Sequence, residues 1–328
     1  MTKMKIKSLA IPVLPLLSEE NFISGEKLSS ELSLSRVAVW KQIQKLKQLG
    51  YHISTDARKG YCIISRPDVL LPFEIQRNLD TQYIGKQIFY YPQVTSTNSL
   101  AKDLIKDKQN NFQEGAVLIA EVQTAGRGRL GRSWHSPSGG IWFTIILFPD
   151  LEPAYLAKIT LMIAVVLVQT LKSLYDISVK IKWPNDLVVG DRKISGILTE
   201  MSAESDRINY VLVGIGINAN LRSNTFLDEI RQQVTSLQEI IGKPISKVIL
   251  MQKILENFEK YYQLFLKKQF ESILAEWKEN TETLGEKVTM DYRGAIISGE
   301  AIDITSEGAL LIEKKNGEKV QVLSGTLL

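Results

Sequence analysis

Residues 126–132 read GRGRLGR, alternating three glycines with three arginines and a leucine. Glycine lets backbone N–H groups approach an anion closely, and arginine adds fixed charge with a fork that matches carboxylate or phosphate. The stretch follows a strand-like run, GAVLIAEVQ, as a site on an α/β sheet does. It has neither the GxxxxGK[ST] order of a Walker loop nor the dinucleotide GxGxxG. Gly126, Arg127, Gly128 and Arg129 therefore make a candidate anion-binding loop, with Trp134 just beyond it. Residues 182–186 read KWPND, where Pro184 and Asn185 set a turn flanked by Lys182 and Asp186 as an opposed charge pair. Next come Lys193 and Gly196 in RKISGIL. A lysine entering a buried, glycine-lined strand is costly unless it meets a partner or a ligand anion. Gly214 and Gly216, in GIGIN, put two positions without side chains on one strand face, which leaves room for a flat ligand or for close backbone packing. One cysteine, Cys62, and two histidines, His52 and His135, exclude an intrachain disulfide, a Cys/His zinc site and chemistry needing several histidines.

These residues need strands to carry them and helices to cover the strands. KQIFYYPQV, GAVLIAEVQ, the wholly apolar IWFTIILF and NYVLVGIGINAN read as strands. VKIKWPNDLVV and KISGILTEMS read as a hairpin about a GDR turn. A helix starts at Ser96 or Thr97, a largely apolar one covers 153–175, and two more lie near 245–268 and 270–279. This predicts a mixed sheet with packed helices over 67–277. The last residues, 278–328, read as short strands and turns of a small β-barrel or sandwich.

Residues 1–66 differ in charge. They hold 11 Lys/Arg against 5 Asp/Glu, while the rest of the chain is slightly acidic. Such an asymmetry suggests a nucleic-acid arm. EKLSSEL, a short turn, then RVAVWKQIQKLKQLG capped by Ser35 make a helix-turn-helix. YHIS and YCII, joined by TDARKG, add a basic hairpin. Together they predict a winged helix-turn-helix, with Arg36, Lys41, Gln42 and Lys45 on the recognition helix and Arg58 and Lys59 on the wing. The basic, apolar start is broken by Pro12 and Pro15, followed by Glu19 and Glu20, and lacks a small-residue cleavage site. The longest later apolar stretch, LMIAVVLVQTL, is too short to span a bilayer. The expectation is a soluble, cytoplasmic protein with no membrane partner.

In this order, STN at 96–98, QTAGRGRLGR, KWPND, RKISGIL and GIGIN resemble the biotin–protein ligases. The segment SGEKLSSELSLSRVAVWKQIQKLKQLG resembles the winged helix of the bifunctional class that also represses the biotin operon. The likeness runs from about residue 8 to the C-terminal barrel. It implies an α/β (α+β) protein whose mixed-sheet catalytic domain is similar to class II tRNA-synthetase-like folds. Lipoate ligases share that fold but lack this combination of features.

The resemblance implies two half-reactions. Biotin and ATP, with Mg²⁺, give biotinyl-5′-AMP and pyrophosphate; a lysine of the biotin carboxyl carrier protein of acetyl-CoA carboxylase then takes the biotinyl group. Lys193 matches the lysine that contacts the biotin carboxylate and α-phosphate. Arg127 and Arg129 match a loop that closes over the adenylate. Ser96, Thr97, Asn98 and Gln123 match positions nearest the ureido ring, with Gly214 and Gly216 flanking the bicycle. Asn185 and Asp186 match nucleotide or metal contacts, and Asp186 also a residue that orients the incoming lysine; no metal ligand set is specified. The adenylate is expected to favour a homodimer that binds a palindromic biotin operator. Two other readings stay open: a biotin-sensing transcription factor without ligase activity, and a lipoate-type ligase with an appended DNA-binding domain. Two departures stand out. Pro12 and Pro15 occupy the expected first helix, and Val234 stands where related ligases can carry a tryptophan over the adenine.

Overall fold

The computed structural model describes residues 11–107, 110–292, 294–323 and 325–327. The basic first ten residues lie outside them. A 3₁₀ turn at Leu14–Leu16, with Pro15 at its start, stands where a first helix was expected. Two helices follow, α1 (Gly25–Leu32) and α2 (Arg36–Gln48), then the hairpin β1 (His52–Asp56) and β2 (Gly60–Ser65). Ser24 caps α1 and Ser35 caps α2, each hydroxyl accepting from a backbone N–H three residues on. Leu28, Val39, Ile43 and Leu46 fill the small core between them. Burying each such side chain stabilises by roughly 1.5–3 kcal/mol.

This domain is fixed to the rest through polar groups. A short helix, α3 (Pro72–Gln76), presents the buried Glu74 to Tyr51, which donates its hydroxyl, and to Arg66 at 2.7 Å. Arg66 also holds Glu19, as does Arg77. Just beyond, Asp68 accepts from the backbone N–H groups of Lys247 and Val248 at 2.7 and 3.0 Å, capping a long helix of the central unit.

The central sheet has seven strands in the order β3-β4-β5-β9-β8-β7-β6. They are β3 (Ile88–Val94), β4 (Ala116–Gln123), β5 (Ile141–Leu147), β6 (Lys180–Lys182), β7 (Asp186–Val189), β8 (Arg192–Ala203) and β9 (Ile208–Ile217). Only the β3–β4 pair is parallel, joined by the crossover helix α4 (Thr97–Lys106). The turn expected at Pro184 and Asn185 divides the run around KWPND into two strands, β6 and β7. Strand alternation splits the core. Ala116, Leu118, Ile146 and Leu212 pack under α4, while Val117, Ile119, Phe143, Ile145, Val213 and Ile215 face the larger core on the other side. Both faces are covered, so β5 is buried at every position.

The larger core is built by α5 (Leu156–Tyr175), α7 (Lys247–Leu266) and α8 (Phe270–Asn280), with the short α6 (Leu237–Ile241) between. The apolar segment expected to be too short for a membrane belongs to a helical run of 23 residues, Pro153–Tyr175, in which a 3₁₀ turn leads into α5, long and apolar enough by composition to cross one. It packs against α7, α8 and the sheet, with most of its residues in the core. The boundary expected at 277/278 falls inside α8. Beyond it, β10 (Lys287–Tyr292), β11 (Ala295–Ile304), β12 (Leu310–Glu313), β13 (Lys319–Val322) and β14 (Thr326–Leu327) form an antiparallel sheet in the order β13-β12-β11-β10-β14.

Candidate active site

Across β8 and β9, Gly196 is paired with Gly216 and Leu198 with Gly214. The two paired glycines make a flat floor on which the Trp134 indole lies. A Cβ on Gly216 would stand 2.6 Å from Trp134 Nε1, and one on Gly196 would stand 2.8 Å from the ring. Gly214 is flat for a different reason: a Cβ there would meet Asn98 Oδ1 at 2.5 Å. Trp134 Nε1 is buried against this floor, over Gly216.

A chain of hydrogen bonds, neutral except for Glu200 at its end, runs along one wall. Ser96 caps α4 and so sets the positions of Thr97 and Asn98. The Thr97 N–H donates to Gln123 Oε1 at 2.8 Å, and Gln123 Nε2 donates to Ser136 at 2.8 Å. Thr144 Oγ1 lies 2.6 Å from Asn98 Oδ1 and 2.8 Å from Thr97 Oγ1. Asn98 Nδ2 donates to Glu200 at 2.9 Å. Buried polar groups linked this way hold a fixed array of donors and acceptors.

The cations line the other side. The glycine–arginine loop is pinned at both ends. Gly128 N donates to Arg132 O at 2.7 Å and Trp134 N to Gly126 O at 2.9 Å. Gly126 has no room for a side chain, since a Cβ would stand 2.4 Å from Trp134 O. At the loop tip Leu130 is exposed, with a left-handed φ of 55°. Arg129 Nη1 donates to Asn185 Oδ1 at 3.0 Å, while Asn185 Nδ2 donates to Ile197 O at 2.8 Å. Burial pulls the Arg129 pKa below its usual value; nearby Asp186 pushes the other way, and Arg132 adds to the fall. Arg127 pairs with Glu200 at 3.4 Å. Lys193 Nζ lies 2.7 Å from Asp186 Oδ1 and 4.9 Å from the centre of the Trp134 ring.

Asp186 therefore pairs with Lys193 and not, as the turn suggested, with Lys182, which is exposed. Lys193 is half-buried and its expected partner is present. Ser96, Thr97, Asn98, Gln123, Arg127, Gly128, Arg129, Trp134, Asn185, Asp186, Lys193, Gly196, Gly214 and Gly216 all line one cavity of about 480 Å³, a size that suits a small molecule. Of the expected ligand-site residues only Gly126 is not in the lining; it sits at the root of the loop. Reading the sequence missed Thr144, Ser136 and Glu200. Glu200 was open to detection, since it lies four residues after Gly196 in β8 and so points to the same face. Val234 lies beside the Lys193 backbone, bridged through Gln233 O and Thr235 N, and packs with Trp142, Leu221 and Phe226.

The expected DNA contacts divide. Lys41 and Lys45 are exposed on α2, and Arg36, also exposed, pairs with Glu26 at 3.2 Å. Gln42 is not on that face. Its side chain turns inward and accepts from Val13 N at 3.1 Å. At the wing tip the N–H groups of Arg58 and Lys59 both donate to Asp56 Oδ1 at 2.8 Å, which fixes the turn and leaves both side chains exposed.

Comparison with known proteins agrees with this layout. Residues 90–218 match the biotin/lipoate A/B protein ligase family, residues 13–62 an HTH domain and residues 283–326 the biotin protein ligase C terminal domain. The chain is 40% identical over 299 residues to the bifunctional ligase/repressor BirA of Bacillus subtilis, covering 91% of each. To the protein of the same description from Escherichia coli it is 31% identical over 315 residues, covering 95% of this chain and 94% of that one. Among solved structures, the biotin protein ligase from Aquifex aeolicus in complex with biotin and ATP superposes with a TM-score of 0.64 at 30% identity. It covers 74% of this chain and 98% of its own.

Proposed function

The chain belongs to the family of bifunctional biotin ligase/repressors, and from that premise we propose how its own residues perform the two tasks. It is an ATP-dependent biotin–protein ligase with a DNA-binding repressor domain. Joining biotin to ATP brings two anions together. The carboxylate oxygen attacks the α-phosphorus, the bond to the β-phosphate oxygen breaks, and pyrophosphate leaves. What supports this reading best is that Arg127, Arg129 and Lys193 converge on one cavity, each held by a polar partner it can exchange for a ligand anion. Lys193 lies between carboxylate and α-phosphate, offsetting their repulsion as they approach. Arg129 and the loop retain the adenylate and shield the mixed anhydride from water.

The neutral ureido ring takes the hydrogen-bonded wall. Ser96, Thr97, Asn98 and Gln123 orient it, and its bicycle meets Trp134; Gly214 and Gly216, expected to flank the bicycle, instead seat Asn98 and Trp134. A site built to pair with a ureido group discriminates strongly against ligands that lack one. In the second half-reaction a neutral lysine amine attacks the acyl carbon, AMP leaves, and the amide forms with loss of a proton. Asp186, beside the reacting centre, orients that amine and takes up the proton. The acceptor is the biotin carboxyl carrier protein of acetyl-CoA carboxylase.

Mg²⁺ accompanies ATP. Among the described residues no cluster of three His, Cys, Asp or Glu side chains forms a cage, while Asp186 and Asp191 both line the cavity. That donor set fits an ion carried mainly by phosphates, with one or two carboxylates added; the ion supplies charge neutralisation there. Biotinyl-5′-AMP also acts as co-repressor. It orders the loop, favours a homodimer and sets two winged helices on the biotin operator. The buried setting of α5 supports a soluble protein, and the ATP and operator DNA of this reading are those of the cytoplasm. Biotin-dependent exchange of labelled pyrophosphate into ATP tests the reading: exchange with biotin and not with lipoate is expected, and exchange with lipoate alone overturns it.

A further inference from the structure

Successive residues of a helix turn by about 100°. With Val39, Ile43 and Leu46 in the core and Gln42 held by Val13, Val37, Gln44 and Trp40 fall side by side along one flank of the outward face of α2, with Lys41 and Gln48 nearer its middle. Val37 is 63% exposed and Trp40 52%, although both are large apolar side chains. Cations flank this ridge, with Lys41 and Lys45 on one side and Arg36 and Lys47 on the other. Lys47 also reaches Thr55 of the hairpin at 3.3 Å. Ser35 caps the helix immediately before the ridge, so Val37 and Trp40 occupy the N-terminal half, the part of a recognition helix that meets base edges.

An apolar ridge bordered by positive charge matches the major groove, where thymine methyl groups are the apolar feature and phosphates line both edges. We propose that Val37, Trp40 and Gln44 read the operator. Val37 and Trp40 pack on thymine methyl groups, and Gln44 pairs with the N6 and N7 edge of an adenine. The flanking cations hold the phosphates and set the register without reading sequence. This rests on the DNA-binding reading of the domain and replaces Gln42 by Gln44 as the polar base contact.

The test uses the full chain with biotin and ATP. Duplexes are selected from a random-sequence pool, and each thymine of the enriched half-site is then replaced by deoxyuridine, which removes only the 5-methyl group. For the wild type, one or two of these replacements should weaken binding about fourfold, the effect of one buried methyl group. Val37→Ala or Trp40→Ala should bind thymine and deoxyuridine duplexes alike at the matching position. Gln44→Ala should lose tenfold or more at one adenine and become indifferent to its identity there. Lys41→Ala should weaken every duplex equally and flatten the salt dependence. The deoxyuridine measurement needs no variant, so it stands even if a substitution unfolds the domain. Enriched sequences that are indifferent to deoxyuridine throughout overturn the ridge alone. Failure to enrich any sequence overturns the DNA-binding reading and the ridge with it.

Discussion

Lys193 Nζ on β8 and Asp186 Oδ1 on the neighbouring β7 form an ion pair of 2.7 Å. The pair neutralises the ammonium until an arriving anion takes the carboxylate's place. Both side chains are about a quarter exposed, so the pair adds little to stability, about 1 kcal/mol or less.

Replacing that ammonium should therefore separate chemistry from folding. Lys193→Ala is expected to slow biotin-dependent pyrophosphate exchange by about 10²–10³-fold, as loss of a transition-state charge partner does, with a thermal midpoint within a few degrees of the wild type. Exchange at the wild-type rate would remove Lys193 from the mechanism.

The floor should be intolerant of even one carbon. Gly216→Ala places a Cβ against Trp134 Nε1, and the indole must move. Overpacking of this sort costs about 1–3 kcal/mol. Titration should show biotin binding weakened at least tenfold with the KM for ATP nearly unchanged. Weakening of both to the same degree would mean that the floor is not specific to the vitamin.

Arg129→Gly removes a guanidinium whose burial already works against its charge, so the fold should lose little. The adenylate should escape: filtration of a reaction mixture is expected to find biotinyl-5′-AMP free in solution, with dissociation faster by tenfold or more. Dissociation at the wild-type rate would deny the loop its retaining role.

The junction between the winged helix and the ligase core should loosen in acid. The hydrogen bond from Arg66, helped by Arg77, holds the Glu19 carboxyl below its usual range. Its folded pKa lies below its unfolded one, so its contribution is present above the ordinary carboxylate value and is lost as pH falls through the lowered one. Urea midpoints followed through this acid range should fall further for the wild type than for Glu19→Gln. Parallel curves would show that Glu19 does not couple the two.

Much of this site was legible in the sequence because its parts depend on glycine and on local punctuation. The GRGRLGR loop and the Ser96 cap each state a local backbone requirement, while Gly214 and Gly216 mark a bare strand face whose occupants, Asn98 and Trp134, only the fold supplies. Pairing across the fold was less legible. KWPND shows that Lys182 and Asp186 neighbour a turn, but only the third strand, β8, brings Lys193 to the same carboxylate. Gln42 looked exposed because helical spacing cannot reveal that the segment before α1 folds back over that side of α2. Thr144 lay hidden in an apolar strand that is buried on both faces.

The most direct test of the central claim is a single-turnover mixture of the purified chain, biotin and Mg-ATP, analysed by mass spectrometry. The account predicts about one equivalent of biotinyl-5′-AMP retained on the protein and discharged on addition of a biotin carrier domain. Tight biotin binding with no adenylate formed at any time would contradict it.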